Sequence, residues 1–199
     1  MNLFFDRLGV MKKLLGIIIL GLFLITPSQA DDIRDFQIEG LSIGDSALDY
    51  FSEDEMERKK KYYPKSKKWV LFVKKISSSK IYDAIQVHFK DGDNKYIIGT
   101  LDGHIYYKNN IEDCYKKMDE IEIEISKIFK NTKKKRDISK HQYDKSEKSI
   151  ATSVEYWFES GDIAVLECMD WSKQINLIDK LTLKIGTKEF VDWINNEAY

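Results

Sequence analysis

The chain of 199 residues carries 32 basic and 33 acidic side chains, a balance that gives no global attraction to nucleic acid or to an anionic membrane. Aromatic residues make up 13% and include four Trp, which excludes a broadly disordered chain. With two prolines, no glycine-rich run and no internal repeat, nothing announces a second domain.

The first thirty residues read as a cleavable secretory signal. Lys12 and Lys13 precede an apolar run of 12 residues, Leu14 to Ile25, and Thr26-Pro27-Ser28-Gln29-Ala30 supplies a small-x-small processing site after a helix-breaking Pro27. A membrane span needs about 20 apolar residues, so an uncleaved anchor fits less well. Met11 opens a compact basic segment and makes a better start than Met1. The only cysteines are Cys114 and Cys168, so no lipid-bearing cysteine follows the apolar run. The expected location is therefore the periplasm or the medium, with no membrane span after cleavage. Removing residues 1–30 leaves 29 basic and 32 acidic residues, a formal charge of −3, and enough chain for one core.

The mature chain, 31–199, is expected to be a single α+β domain. Phe36 to Glu39 reads as a short strand or extended lead-in. Asp45 or Ser46 can cap a short helix carrying Ala47, Leu48 and Phe51 inward. Ser52 and Glu55 have capping-box spacing for a second, exposed helix that Pro64 ends. Trp69 to Val73 suits a strand buried on both faces. Ile81 to Phe89 alternates like a half-buried strand, with Tyr82, Gln86 and His88 on the second face. Tyr96 to Leu101 and His104 to Tyr107 read as two further strands joined by an Asp102-Gly103 hairpin turn, completing a four-stranded meander.

The clearest element is a long helix after an Asn110 N-cap. Ile111, Cys114, Met118, Ile121, Ile125 and Ile128 recur at steps of three and four and form one apolar stripe. Asn131 to Lys148 is polar and basic, and 131–149 is expected to be an exposed loop. Val154 to Phe158 and Ile163 to Cys168 form a hairpin around Ser160-Gly161-Asp162. Leu181 to Ile185 is the last strand, and Thr187 caps a terminal helix. The expected fold is an antiparallel sheet of about six to seven strands packed on one long amphipathic helix, with short helices at both ends.

Two cysteines in an exported chain point to one disulfide, Cys114–Cys168, closing a loop worth about 4 kcal/mol in the chain-entropy account. The alternative is two buried free thiols. Cys168 shares strand parity with Ala164 and Leu166, the direction from which the helix stripe would arrive.

No catalytic signature is present. Asp91, Asp93 and Asp102 match three positions of a calcium loop, but Lys95 and Tyr96 stand where that loop needs an oxygen ligand and Gly. His88, His104 and His141 lack metal-ligand spacing, and no metal or cofactor is expected. His88 and His104 could meet, with Asp102, if their strands are neighbours. The basic run Lys127, Lys130, Lys133, Lys134, Lys135, Arg136 and Lys140 reads as a solvated face, although polyanions are an alternative. Tyr62, Tyr63, Trp69, Trp157 and Trp171 are core residues or the lining of a hydrophobic groove.

The stretch Ile38-Glu39-Gly40-Leu41-Ser42-Ile43-Gly44-Asp45-Ser46, continuing through Asp49-Tyr50-Phe51-Ser52-Glu53-Asp54-Glu55, resembles the opening of small uncharacterised exported proteins of marine bacteria. That likeness implies an envelope location and brings no functional residues. A fainter likeness to small outer-membrane assembly lipoproteins rests on the glycine-flanked turn into a helix; the lipid-bearing Cys is missing here, so no function follows. The expectation is a non-enzymatic envelope module that binds an envelope protein or a hydrophobic ligand. The alternative is a hydrolase-type enzyme with a site built from His88, His104 and Asp102, and convergence of these residues in a cleft would favour it.

Overall fold

The computed structural model describes residues 32–77, 79, 81–108 and 110–199. The export signal, the Met11 start and the processing site lie outside them. The described residues form one open antiparallel sheet of eight strands, a separate two-stranded ribbon and three helices.

Short elements come first. Ribbon strands β1 (Gln37–Ile38) and β2 (Leu41–Ser42) pair antiparallel. Ser46 Oγ accepts from Leu48 N at 3.2 Å and caps a 3-10 turn, Ala47–Asp49. Ala47 is buried, but Leu48 is exposed, because one turn is too short to carry an inward stripe. Helix α1 (Glu53–Lys59) starts at Ser52, whose Oγ accepts from Glu55 N at 3.2 Å. The Glu55 carboxylate turns instead to Lys59, at 2.7 Å, and to Lys74.

The sheet is two meanders joined edge to edge. Strands β3 (Lys61–Tyr62), β4 (Trp69–Lys75), β5 (Ala84–Lys90) and β6 (Thr100–Tyr107) make the first. Helix α2 (Ile111–Ile128) then crosses over to β7 (Lys133–Lys140), β8 (Ile150–Trp157), β9 (Ile163–Asp170) and β10 (Asp179–Gly186). Pairing of β6 with β10 gives the order β3-β4-β5-β6-β10-β9-β8-β7. Helix α3 (Lys188–Asn196) ends the chain's regular structure; Thr187 Oγ1 accepts from Phe190 N at 3.4 Å at its start.

Three expectations need correction. Asp102-Gly103 is the middle of β6, with no turn there. Gly103 serves close approach: a Cβ at that position would sit 2.4 Å from the Tyr82 ring. Residues 131–149 are not one loop, since Lys133–Lys140 pairs residue for residue with β8 as an edge strand. Its side chains are mostly exposed, as expected, and lysines on an edge discourage pairing with other chains. Arg136 also reaches back to Asp119 and Glu122 on α2, at 2.8 and 3.2 Å. Finally, β5 is buried on both faces, with His88 only 1% exposed.

One face of the sheet holds the main core. Val70, Phe72, Ile85, Val87, Leu101, Leu166, Leu181 and Ile185 are among its buried side chains. Helix α2 lies against β6, β10 and β9 and buries Cys114, Met118 and Ile125. The Cys114 and Cys168 sulfurs lie at disulfide distance, with Cα atoms 6.0 Å apart. On the other face, α3 docks through a smaller cluster of Trp69, Phe190, Trp193 and Ala198, with Tyr63 and Ile194 against it. Trp193 Nε1 donates to Ser66 Oγ at 2.9 Å and fixes the helix beside β4.

Candidate functional site

Strand parity builds the site. On β5, Gln86 and His88 face away from the main core; on β6 so do Thr100, Asp102 and His104; on β10, Lys180, Thr182 and Lys184. Register brings them side by side: Gln86, Asp102 and Lys184 form one cross-strand row, and His104, Thr182 and Glu167 form the next. His88 pairs with Thr100 and then Gly186. Together they floor a cavity of about 450 Å³. Its walls come from α3, from Tyr63 and Tyr199, and from Lys140-His141-Gln142 at the end of β7.

Each of three floor residues is anchored at one polar atom. Gln86 Nε2 donates to Asp102 Oδ2 at 2.7 Å. The Tyr63 hydroxyl meets His88 Nε2 at 2.8 Å, and Thr182 Oγ1 meets His104 Nδ1 at 3.0 Å. The other polar atom of each, namely Asp102 Oδ1, His88 Nδ1 and His104 Nε2, is buried with no hydrogen-bond partner among the described residues. Thr100 Oγ1 is in the same condition. His88, Asp102 and His104 are no more than 2% exposed. A buried polar group left unpaired costs about 1–3 kcal/mol, so four around one cavity call for an explanation.

Electrostatics sets the protonation states. Burial, then the positive charges of Lys184 and Lys180, pushes His88 down to about 3. Burial, with Lys180, Lys184 and His88 adding to it, takes His104 to about 2. Both are neutral at pH 7. Burial pushes Asp102 up to about 6, against the two lysines and the Gln86 hydrogen bond. Lys180 is shifted down by burial; for Lys184, burial is outweighed by Asp102, Glu167 and Tyr199, and the net shift is upward.

The structure thus brings His88, His104 and Asp102 to one cavity, as the enzyme alternative required. It does not hydrogen-bond them to one another, so no charge relay is formed. Among the described residues no group of three or more His, Cys, Asp or Glu is placed to hold a metal ion. His141 also lines the cavity and stacks edge-on with Trp171, ring centroids 4.8 Å apart. Asp91 and Asp93 lie in the turn after β5, apart from Asp102.

The aromatic residues, read as core or as groove lining, divide between several settings. Tyr63 and Trp157 border a cavity floored by polar side chains, Trp69 is buried in the α3 cluster, and Tyr62 is exposed on β3. Sequence reading missed Gln86, Thr100, Glu167, Lys180, Thr182 and Lys184. One signal was available: Lys180, Thr182 and Lys184 alternate with Leu181, Leu183 and Ile185, an amphipathic strand opposite in phase to an ordinary solvent face only in what covers it.

No helix among the described residues is long and apolar enough to cross a membrane. No family model, curated protein or solved structure matches the chain.

Proposed function

We propose that the protein is an exported binding module that holds a small polar ligand on the face of its sheet opposite the main core. The observation that carries this reading is the set of four buried, unpartnered polar atoms on side chains that line one cavity of about 450 Å³. That volume falls within the range of small-molecule sites. A ligand with donors and acceptors would satisfy groups that the protein's own side chains leave unused. Export is supported by the signal-like residues 1–30 and by the cysteine pair, since disulfides persist in oxidising compartments. The likeness to small exported bacterial proteins points the same way. The long helix packed on the sheet, with its disulfide, is in this reading the rigid support that keeps the floor in place.

Thermal-shift screening of the purified protein against polar metabolites tests the proposal. At least one compound class should raise the melting temperature, and Asp102→Asn should remove the shift. Stabilisation only by long-chain lipids would return the reading to a hydrophobic ligand. N-terminal sequencing of protein from its native cells should find Asp31 first.

A second reading has its own observation. Asp102, pushed up to about 6 by its own burial beside two neutral histidines, is placed for general acid–base work on a bound molecule. Ligand turnover by the parent protein, lost in Asp102→Asn while binding persists, would favour this hydrolase-type alternative.

A further inference from the structure

The cavity holds charges of both signs that do not meet. Lys184 stands directly opposite Asp102 across the β6–β10 pair. Glu167 stands opposite Thr182 and diagonal to both Lys180 and Lys184. Opposite charges in such positions on one sheet face ordinarily pair. Here neither lysine has an ion pair or side-chain hydrogen bond among the described residues, and neither does Glu167.

From this juxtaposition we infer that the ligand is a zwitterion carrying both a carboxylate and an ammonium group, as free amino acids do, with its carboxylate on Lys180 and Lys184 and its ammonium on Asp102 and Glu167. The inference rests on the proposed polar-ligand function and narrows it. A simple anion would satisfy the lysines and add a third negative charge beside two carboxylates. A simple cation would do the reverse. Only a molecule bearing both charges offers an opposite charge to all four side chains without adding a net charge of its own. The anchored groups assist: Gln86 holds Asp102 by one oxygen and leaves Oδ1 to accept from an ammonium, and Thr100 Oγ1 and the free ring nitrogens of His88 and His104 remain for the ligand's uncharged polar atoms.

Calorimetric titration of the purified full chain at pH 7.5 tests this, using the twenty protein amino acids as probes. Each binder is compared with its 2-hydroxy acid, which lacks the ammonium, and with its amide, which lacks the carboxylate. Glucose and glycerol serve as uncharged probes. At least one amino acid should bind, with each single-charge analogue weaker by tenfold or more. Lys184→Met should weaken the amino acid at least tenfold while leaving the amide's binding unchanged. Asp102→Asn should weaken it similarly while leaving the hydroxy acid's binding unchanged; cooperative melting curves verify that both variants fold. Equal binding of amino acid and hydroxy acid, or binding by sugars or simple anions alone, overturns the zwitterion and leaves the polar-ligand function standing. No heat from any probe overturns both.

Discussion

The two faces of the sheet are built from the same strands, yet they obey opposite rules. On β6, Leu101 sits in a continuous core, while its neighbours Thr100 and Asp102 face a cavity with polar atoms left unpaired. On β10, Leu181, Leu183 and Ile185 pack inward while Lys180 and Lys184 form no ion pair among the described residues. The first face spends its contacts on stability. The second keeps groups that folding alone would disfavour, and such groups are retained where a site needs them.

This contrast can be broken or sharpened by substitution. The largest expected effect is on the helix side. Opening the cysteine pair by Cys114→Ser with Cys168→Ser should cost about 4 kcal/mol, because it frees a long loop in the unfolded chain. Denaturant titration measures this, and an unchanged midpoint would show that the pair does not stabilise the fold. Leu166→Ala, at a fully buried position on β9, should cost about 3 kcal/mol in the same assay. Gly103→Ala should cost about 2 kcal/mol by driving a methyl into the Tyr82 ring, and the same substitution should cost less when made in a Tyr82→Ala background.

The polar face makes a prediction in pH. His88 and His104 have folded values below their ordinary 6.5, so between that value and about 3 the unfolded chain takes up protons that the native protein refuses. Their contribution is complete above pH 6.5 and is lost as the pH falls through that window. Asp102 acts in the opposite sense. Its raised value lets the native state bind a proton between about 6 and 3.8 that the unfolded chain does not, which favours the native state on acidification. Two histidines, each moved further than the one aspartate, should win. Unfolding midpoints should therefore fall from pH 7 to pH 5, and the fall should be shallower in His104→Gln. A steeper fall in that variant would contradict the assignment. The smallest effect is expected on the surface: Arg136→Ala removes contacts of a half-exposed guanidinium to Asp119 and Glu122, and should cost about 1 kcal/mol or less, shrinking further in high salt.

What could be read from sequence followed periodicity. The stripe from Ile111 to Ile128 and its Asn110 cap place α2 correctly, because a step of three and four residues has one helical interpretation. The hairpin at Ser160-Gly161-Asp162, with β8 and β9 on either side, was legible for the same reason in period two. Edge strand β7 was hidden because Lys133 to Lys140 contains one aliphatic side chain, Ile138, and that one is exposed; its order comes from backbone pairing with β8 and from acidic partners on α2. Asp102-Gly103 misled because the same two residues that make a tight turn also suit a strand in which a ring covers the glycine. That error split β6, separated Asp102 from His104, and so concealed half of the cavity floor. The pairing of β6 with β10, some eighty residues apart, left no local trace. It supplies the lysines, which is why the charged part of the site was invisible beforehand.

The central claim is that the second face holds its polar groups for a ligand at the expense of the fold. Asp102→Asn addresses it most directly, with chemical unfolding and ligand titration run on one preparation at pH 7.5. Removal of a buried carboxylate that has no ionic partner should leave stability equal or higher, while binding of the polar ligand is lost. A drop in stability comparable to Leu166→Ala, with binding retained, would show that Asp102 serves the fold and would contradict the account.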